Sequence, residues 1–410
     1  MNMQKLPQYL TKYAFREELI STDPDYALGI IVVIPAHDEV DLIKSVSSLQ
    51  NCDRPNCAAE VIVVFNASEN SINAIIETNK TARQKLEKWH KNLENNNFNL
   101  YSVEENSLPK KHAGVGLARK IGMDEAIRRF SKLNRPEGVI VCFDADSHCL
   151  PNYLVEIEKH FELNPMSGAC SIHFEHPISG ANFSRDIYTG IENYELHLRY
   201  YKNGLAYANL PFAFHTIGSS MAVRALAYCE QGGMNRRKAG EDFYFLQKFI
   251  DVGTLTELKN TTVIPSPRPS HRVPFGTGRA IQEMMDMERE IHKSYAFDCF
   301  EILKECFKDV GQFYESSKCA NEMLVAFVGS EEWEERLTEI RSQSTSKEHF
   351  EKRFFRWFNA FQTLKFIHFL RDNYFANKSL ETEVLKLIER FGISNSRNSL
   401  LEELRQLDRA

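Results

Sequence analysis

Two acids stand one residue apart at the end of an apolar run, Gly138-Val139-Ile140-Val141-Cys142-Phe143-Asp144-Ala145-Asp146-Ser147. Residues i and i+2 of a strand point the same way, which would let both carboxylates converge on one ligand. Hard divalent cations such as Mg2+ and Mn2+ take carboxylate and phosphate oxygens, so the functional reading of Asp144 and Asp146 is a metal–diphosphate site. The plain reading is an acidic turn after a strand, since Asp is favoured in turns. Positive charge suited to a diphosphate gathers in two places. One is Lys110, Lys111 and His112 with Arg119; the other is Arg268-Pro269-Ser270-His271-Arg272. A second acid pair, Glu241 and Asp242, opens a helical pattern, where the helix dipole favours an anion. Acids are common in first turns for that reason alone.

The chain around these residues alternates between strand and helix signals. Apolar runs at 29–35, 60–65, 98–103 and 138–143 predict strands, with helical spacing at 38–50, 69–93 and 114–130 between them. Continuous apolar strands separated by helices imply a parallel sheet covered on both faces. Ligands bind such sheets beyond the carboxyl ends of the strands, which is where Asp144 and Asp146 fall. Further on, helices are expected at 151–163, 186–203 and 241–251, and strands at 168–174, 216–223 and 261–264. The Pro- and Gly-rich stretch 266–279 reads as a boundary, and its glycines over 274–279 as a lid that closes on a ligand. From Ala280 onward the spacing is helical. The expected organisation is an N-terminal extension over 1–28, an α/β domain over 29–279 and a helical domain over 280–410.

Several segments together resemble family 2 glycosyltransferases. Ile34-Pro35-Ala36-His37-Asp38-Glu39 is similar to the Pro-Ala-Tyr-Asn-Glu element that opens that family, with His37 for Tyr and Asp38 for Asn. Residues 114–126, GVGLARKIGMDEA, resemble its Gly-x-x-x-Ala-Arg-Asn-x-Gly helix, with Arg119 on the Arg and Lys120 in place of Asn. Asp144-Ala145-Asp146 falls where its metal motif belongs. Gly218–Arg224 and Gly232-Gly233-Met234 are similar to the strand before the acceptor site and the Gly-Gly-Phe after it, and Ala239-Gly240-Glu241-Asp242-Phe243 to the Glu-Asp motif. The motifs run in family order over about residues 29–275.

The resemblance implies a GT-A type fold, a Rossmann-like mixed sheet with helices on both faces, followed here by an all-helical C-terminal domain. It implies inverting, metal-dependent transfer of a sugar from a nucleotide-sugar donor to an acceptor hydroxyl, in glycan or glycoconjugate synthesis. Asp242 would be the general base, and Glu241 would orient the acceptor or an Arg. Asp146 would ligate Mn2+ or Mg2+, with Asp144 near the ribose and the metal's waters and His271 as a further ligand. Pro35, Asp38, Glu39, Asn66, Lys111 and Arg119 would face the donor nucleotide, a UDP-sugar by default. Phe65 and Asn66 stand where the family usually has acids on the base and ribose, which leaves the base open. The family's polymerases usually carry a Gln-x-x-Arg-Trp motif and membrane spans; neither is present, so a single-sugar transfer is expected.

Three alternatives stay open at this level. A haloacid-dehalogenase-type phosphohydrolase needs its Asp nucleophile on the first strand, whereas this pair follows the fourth. A nucleotide-sugar pyrophosphorylase needs a Gly-rich signature with Arg and Lys after the first strand, which PAHDEVD does not supply. A non-catalytic glycan- or nucleotide-binding module on the same fold would not need Asp144, Asp146 and Asp242 intact.

Composition sets the outer limits. The 410 residues are 43% hydrophobic and 26% charged with net charge −6, a globular balance that argues against a nucleic-acid partner. No apolar run reaches the roughly 20 residues of a membrane span, and MNMQKLPQYLTKYAF lacks a signal-peptide core. Nine cysteines without a framework spacing suggest reduced thiols. The expected location is cytoplasmic. Residues 347–375 combine an aromatic stripe, Phe350, Phe354, Trp357, Phe361 and Leu364, with Lys352, Arg353, Arg356 and Lys365. That reads either as a helix packed on its neighbours or as a peripheral contact with the inner face of a membrane. The acceptor is left as a glycan, a lipid-linked molecule or a small molecule.

Overall fold

The computed structural model describes residues 4–269, 278, 292–316, 318, 321–393 and 399–410. Contacts divide the chain into two units, Met1–Ile191 with Thr216–Met285, and Glu192–His215 with Asp286–Ala410.

The first unit is built on an eight-stranded sheet. Its strands are β1 (Leu28–Ala36), β2 (Ala58–Ser68), β3 (Asn99–Leu108), β4 (Val139–Cys142), β5 (His148–Cys149), β6 (Ala169–Phe174), β7 (Met221–Arg224) and β8 (Leu255–Ile264). They lie in the order β3-β2-β1-β4-β7-β6-β8-β5. β1, β2, β3 and β4 are mutually parallel, and β7 enters antiparallel beside β4. The sheet is therefore mixed, as the expected fold class requires. Its helices are α1 (Lys5–Tyr13), α2 (Leu42–Gln50), α3 (Asn73–Lys91), α4 (Val115–Lys132), α5 (Tyr153–Leu163), α7 (Ala225–Glu230) and α8 (Glu241–Asp251), while α6 (Arg185–Tyr207) belongs to the second unit from Glu192 onward.

The middle of the sheet is where the apolar runs predicted it. Val32 of β1 sits opposite Val61 of β2 and Val141 of β4, and all three are buried. Each fully buried Val, Ile or Leu contributes about 1.5–3 kcal/mol. Pro35 also lies in β1, a central strand that would ordinarily reject it. Pairing with β4 has stopped at Val33, so the missing N–H of Pro35 faces no β4 partner.

Residues 4–27 are more than a polar leader. Tyr9 donates to buried Asp124 at 2.7 Å and accepts from Lys120 at 2.8 Å, while Tyr228 donates to the same carboxylate at 2.9 Å. Glu125 accepts from the backbone of Leu19 and Ile20 at 3.2 and 3.1 Å. α4 thus carries a row of buried polar groups that hold the extension in place.

The second unit is helical, apart from a two-stranded ribbon of Lys293–Ser294 and Lys378–Ser379. Phe350, Phe354, Phe358 and Phe366 are fully buried within it, against Phe307, Phe313 and Trp333 among others. Of the stripe in 347–375, Phe350 and Phe354 are taken up in packing, Trp357 and Leu364 are half-buried, and Phe361 is exposed. No helix among the described residues is long and apolar enough to cross a membrane. A buried ionic cluster ties the unit together. Arg199 and Arg405 both donate to Glu195 at 2.8 Å. Asp408 accepts from Arg199, Lys202, Asn203 and His215 within 2.5–3.1 Å.

Burial alone would raise the pKa of Asp408, but His215, Lys202 and Arg199 more than offset it and hold the carboxyl well below its ordinary value. A depressed folded pKa means stability that is present above the unfolded value, about 3.9, and lost as pH falls below it. Asp408→Asn is therefore expected to be less stable than the parent at neutral pH. The gap in denaturation midpoint between the two should narrow as pH drops below about 4, measured by urea titrations across the acid range.

Candidate active site

β4 ends at Cys142, and Phe143 to Ser147 form the loop that leads to β5. The acid pair is thus beyond the strand, where the two-residue alternation no longer applies. Asp144 and Asp146 accordingly engage different arginines. Asp144 Oδ1 accepts from Arg119 Nη2 at 2.5 Å, and Asp146 Oδ2 accepts from Arg268 Nη2 at 3.0 Å. The loop is pinned from α2, where Ser45 Oγ donates to the Asp144 carbonyl at 3.0 Å.

Arg119 is the hub. It lies on α4, is 2% exposed, and its Nη1 donates to Glu241 at the start of α8. One guanidinium therefore joins the loop after β4 to the acid pair 241–242. Burial acts to lower the Arg119 pKa, but Asp144 and Glu241 more than reverse that and hold the charge in place. Arg119, expected to face the donor diphosphate, is buried and bridges Asp144 and Glu241.

Two glycines make room for this hub. A Cβ on Gly218 would stand 2.5 Å from Arg119 Nη1. A Cβ on Gly116 would stand 2.3 Å from the Arg237 carbonyl oxygen, in the segment that leads into α8. Gly116→Ala should by helix propensity favour α4 by up to about 1 kcal/mol. We expect the opposite sign, because backbone must move and α8 moves with it. If the site is catalytic, a displacement of about 1 Å there costs on the order of 10²-fold in turnover. Thermal unfolding and initial rates of the variant check both parts.

α8 begins after Gly240, which is left-handed at φ 68°. Glu241 is 3% exposed; Asp242 is partly exposed, and its Oδ1 accepts from Phe243 N at 2.8 Å. Burial pushes the Glu241 carboxyl up to about 7 and raises Asp242 as well, with Arg119 opposing both shifts.

On the other side Arg268 makes a fork to Glu39, with 2.9 and 2.6 Å contacts, besides its bond to Asp146. Glu39 is 3% exposed and sits just past β1. The segment after β8 is thereby tied to the ends of β1 and β4. Sequence reading placed Glu39 and Arg268 near an anionic ligand but gave no sign that they pair.

The mouth of β1 and β2 holds a polar network. Asn66 donates to the Ala36 carbonyl at 3.0 Å, and its own carbonyl meets His37 Nδ1 at 2.8 Å and Asn79 Nδ2 at 3.1 Å. Asn79 Oδ1 accepts from Asp38 N at 3.0 Å, and Asp38 is left-handed at φ 52°. Such a conformation in a non-glycine residue costs of order 1 kcal/mol or more and is held by its surroundings. Asn79 was not singled out in sequence; only its place on the sheet-facing side of α3 marks it. Pro35 is buried in β1, and Lys111 is exposed in the turn before α4. His271 and the lid segment 274–277 lie outside the described residues.

The expected Mn2+ or Mg2+ can be tested against these donors. Among the described residues no group of three His, Cys, Asp or Glu side chains is arranged to hold a metal ion. Mg2+ commonly uses one or two carboxylates and completes its shell with water and substrate phosphate. Asp146, about one-third exposed, fits that weaker form of site.

No protein-family model matches the chain, and no curated protein sequence matches it. Solved structures with some likeness include TarS 1-349 of S. aureus with UDP-GlcNAc, at 14% identity and TM-score 0.41 over 93% of this chain and 88% of that one. A longer S. aureus TarS structure is 14% identical with TM-score 0.39, over 63% of this chain and 38% of that one. The mannosyltransferase PcManGT from Pyrobaculum calidifontis, with GDP-Man and Mn2+, is 19% identical with TM-score 0.36, over 63% of this chain and 64% of that one. In another TarS 1-349 structure this chain spans 60% of the length. Likeness at this level assigns no activity to this chain.

Proposed function

We propose that this protein transfers a single sugar from a nucleotide-sugar donor to an acceptor hydroxyl with inversion at the anomeric carbon. The observation that carries the reading is the Arg119 bridge. It joins Asp144, after β4, to Glu241, at the start of α8, beyond the carboxyl end of the parallel strands, which supports a ligand site there. A leaving diphosphate gains negative charge as the glycosidic bond breaks. Arg268 offers a partly exposed guanidinium beside Asp146 to meet that charge, and Lys111 stands exposed before α4. When bound at Asp146, Mn2+ or Mg2+ would supply Lewis-acid stabilisation of the same charge.

Asp242 is the proposed general base for the acceptor hydroxyl. A base works best with a pKa near the working pH, and burial raises this one. Glu241, held by Arg119, is a positioning residue for the turn that carries Asp242. The network of Asp38, Asn66 and Asn79 is placed for the nucleoside. Because the Asn66 amide is committed to backbone carbonyls, selection between uridine and guanosine would fall to backbone groups and to Asp38.

A panel of UDP- and GDP-sugars with simple hydroxyl acceptors, with and without Mn2+, tests the reading. Release of nucleoside diphosphate coupled to glycoside formation supports it. No turnover or donor binding across the panel would sink it, and transfer unchanged by chelation would remove the metal.

A further inference from the structure

The loop that carries Asp144 and Asp146 re-enters the sheet at β5, and there two thiols meet. Cys52 lies just past the end of α2 and is buried; Cys149 is partly exposed in β5. Their Sγ atoms are 3.6 Å apart although 97 residues separate them in sequence. The two segments are held together on both sides of the sulfurs. Asp53 N donates to the Pro151 carbonyl at 2.8 Å, and Ser45 Oγ to the Asp144 carbonyl at 3.0 Å. Ser48 Oγ lies 3.6 Å from Cys149 Sγ. A disulfide needs an S–S distance of about 2.05 Å, so closure asks for roughly 1.5 Å of approach between two side chains already in contact.

We propose that Cys52 and Cys149 are a reversible redox pair, a modification site that closes to a disulfide on exposure to a peroxide. Peroxide reaches the pair on the partly exposed side, at Cys149. One sulfur attacks one peroxide oxygen, the O–O bond breaks, and the departing oxygen leaves as water with that thiol's proton. The sulfenic acid so formed is then attacked by the other sulfur. The S–O bond breaks, and the hydroxyl leaves as a second water with the second thiol's proton. The two sulfurs lose two electrons and the peroxide gains them. A dithiol reductant reopens the bond by exchange. The cross-link would fasten α2 to β5 within three residues of Asp146.

The test is peptide mapping of the full chain after graded hydrogen peroxide and alkylation of the remaining thiols in denaturant. The expected result is a linked pair of peptides containing Cys52 and Cys149, abolished by dithiothreitol and absent from both Cys52→Ser and Cys149→Ser. Either cysteine carried to sulfinic acid while the other is still alkylated would overturn the proposal. So would both thiols remaining fully alkylated at peroxide levels that oxidise a free-cysteine control. The readout is mass, so it stands or falls apart from the sugar-transfer reading.

Discussion

Asp242→Asn is expected to bind donor as the parent does and to lose about 10²–10⁴-fold in kcat, the range a positioned general base supplies. Isothermal titration with donor and initial rates with acceptor separate the two. The substitution keeps the size of the side chain, and its carbonyl oxygen can still accept from Phe243 N. Only the ability to take a proton is removed.

The pH behaviour of the parent carries a sign that an ordinary surface acid would not show. Burial raises the folded pKa of Asp242. The base form is then lost as pH falls through that raised value, so the acid limb of kcat/KM should lie above the ordinary Asp range near 4. Stability runs the other way. The folded state holds the proton more tightly than the unfolded one, so this group costs stability as pH rises from about 4 through the raised value, and the cost persists above it. Asp242→Asn should therefore melt no lower than the parent at neutral pH. An inactive variant that is also clearly less stable would show a structural rather than a catalytic role.

Arg119→Met should destabilise the first unit by about 1–3 kcal/mol, the cost of leaving a buried polar group without its hydrogen-bond partner. Glu241 is almost fully buried and Arg119 contacts it directly, so water cannot replace the lost guanidinium. Denaturant unfolding measures the loss. Adding Glu241→Gln to Arg119→Met should change little further, because burial already raises Glu241 to about 7 beside Arg119 and the carboxyl takes up a proton once Arg119 is gone; Asp144, more exposed, can be solvated. A loss below about 1 kcal/mol, the scale of an exposed pair, would show that the bridge does not hold the site together.

The parts of the molecule that were legible in sequence are those where burial dominates. GIIVVIP and EVIVVF can only be covered strands, and they are β1 and β2. β8 was half read: its apolar end, 261–264, stood out, but Leu255–Lys259 has only two apolar residues, three apart, and gives no strand alternation. β7 starts at Met221 rather than Thr216, and the two-residue β5 left no pattern. The acid pair was found by type and spacing, yet its geometry was misread because β4 stops two residues short of Asp144. Arg119 was noticed as a cation, but no spacing reveals that its partners lie 25 and 122 residues away. The glycines at 116 and 218 were the traces it left, and they become readable only once the tertiary contact is known.

The second unit raises a matter of timing. Its ionic cluster joins Arg199 to Asp408 across 209 residues, and the last two strands of the sheet, β7 and β8, are encoded between them. A ribosome making this chain completes the sheet while Glu195, Arg199 and Lys202 still lack their carboxyl-terminal partners. Those charges stay hydrated until the last helix emerges, since bare burial would be prohibitive. Closure of the helical unit therefore waits on Arg405 and Asp408. A nonsense mutation between residues 265 and 405 would leave every strand of the sheet encoded but remove Arg405 and Asp408 from the helical unit.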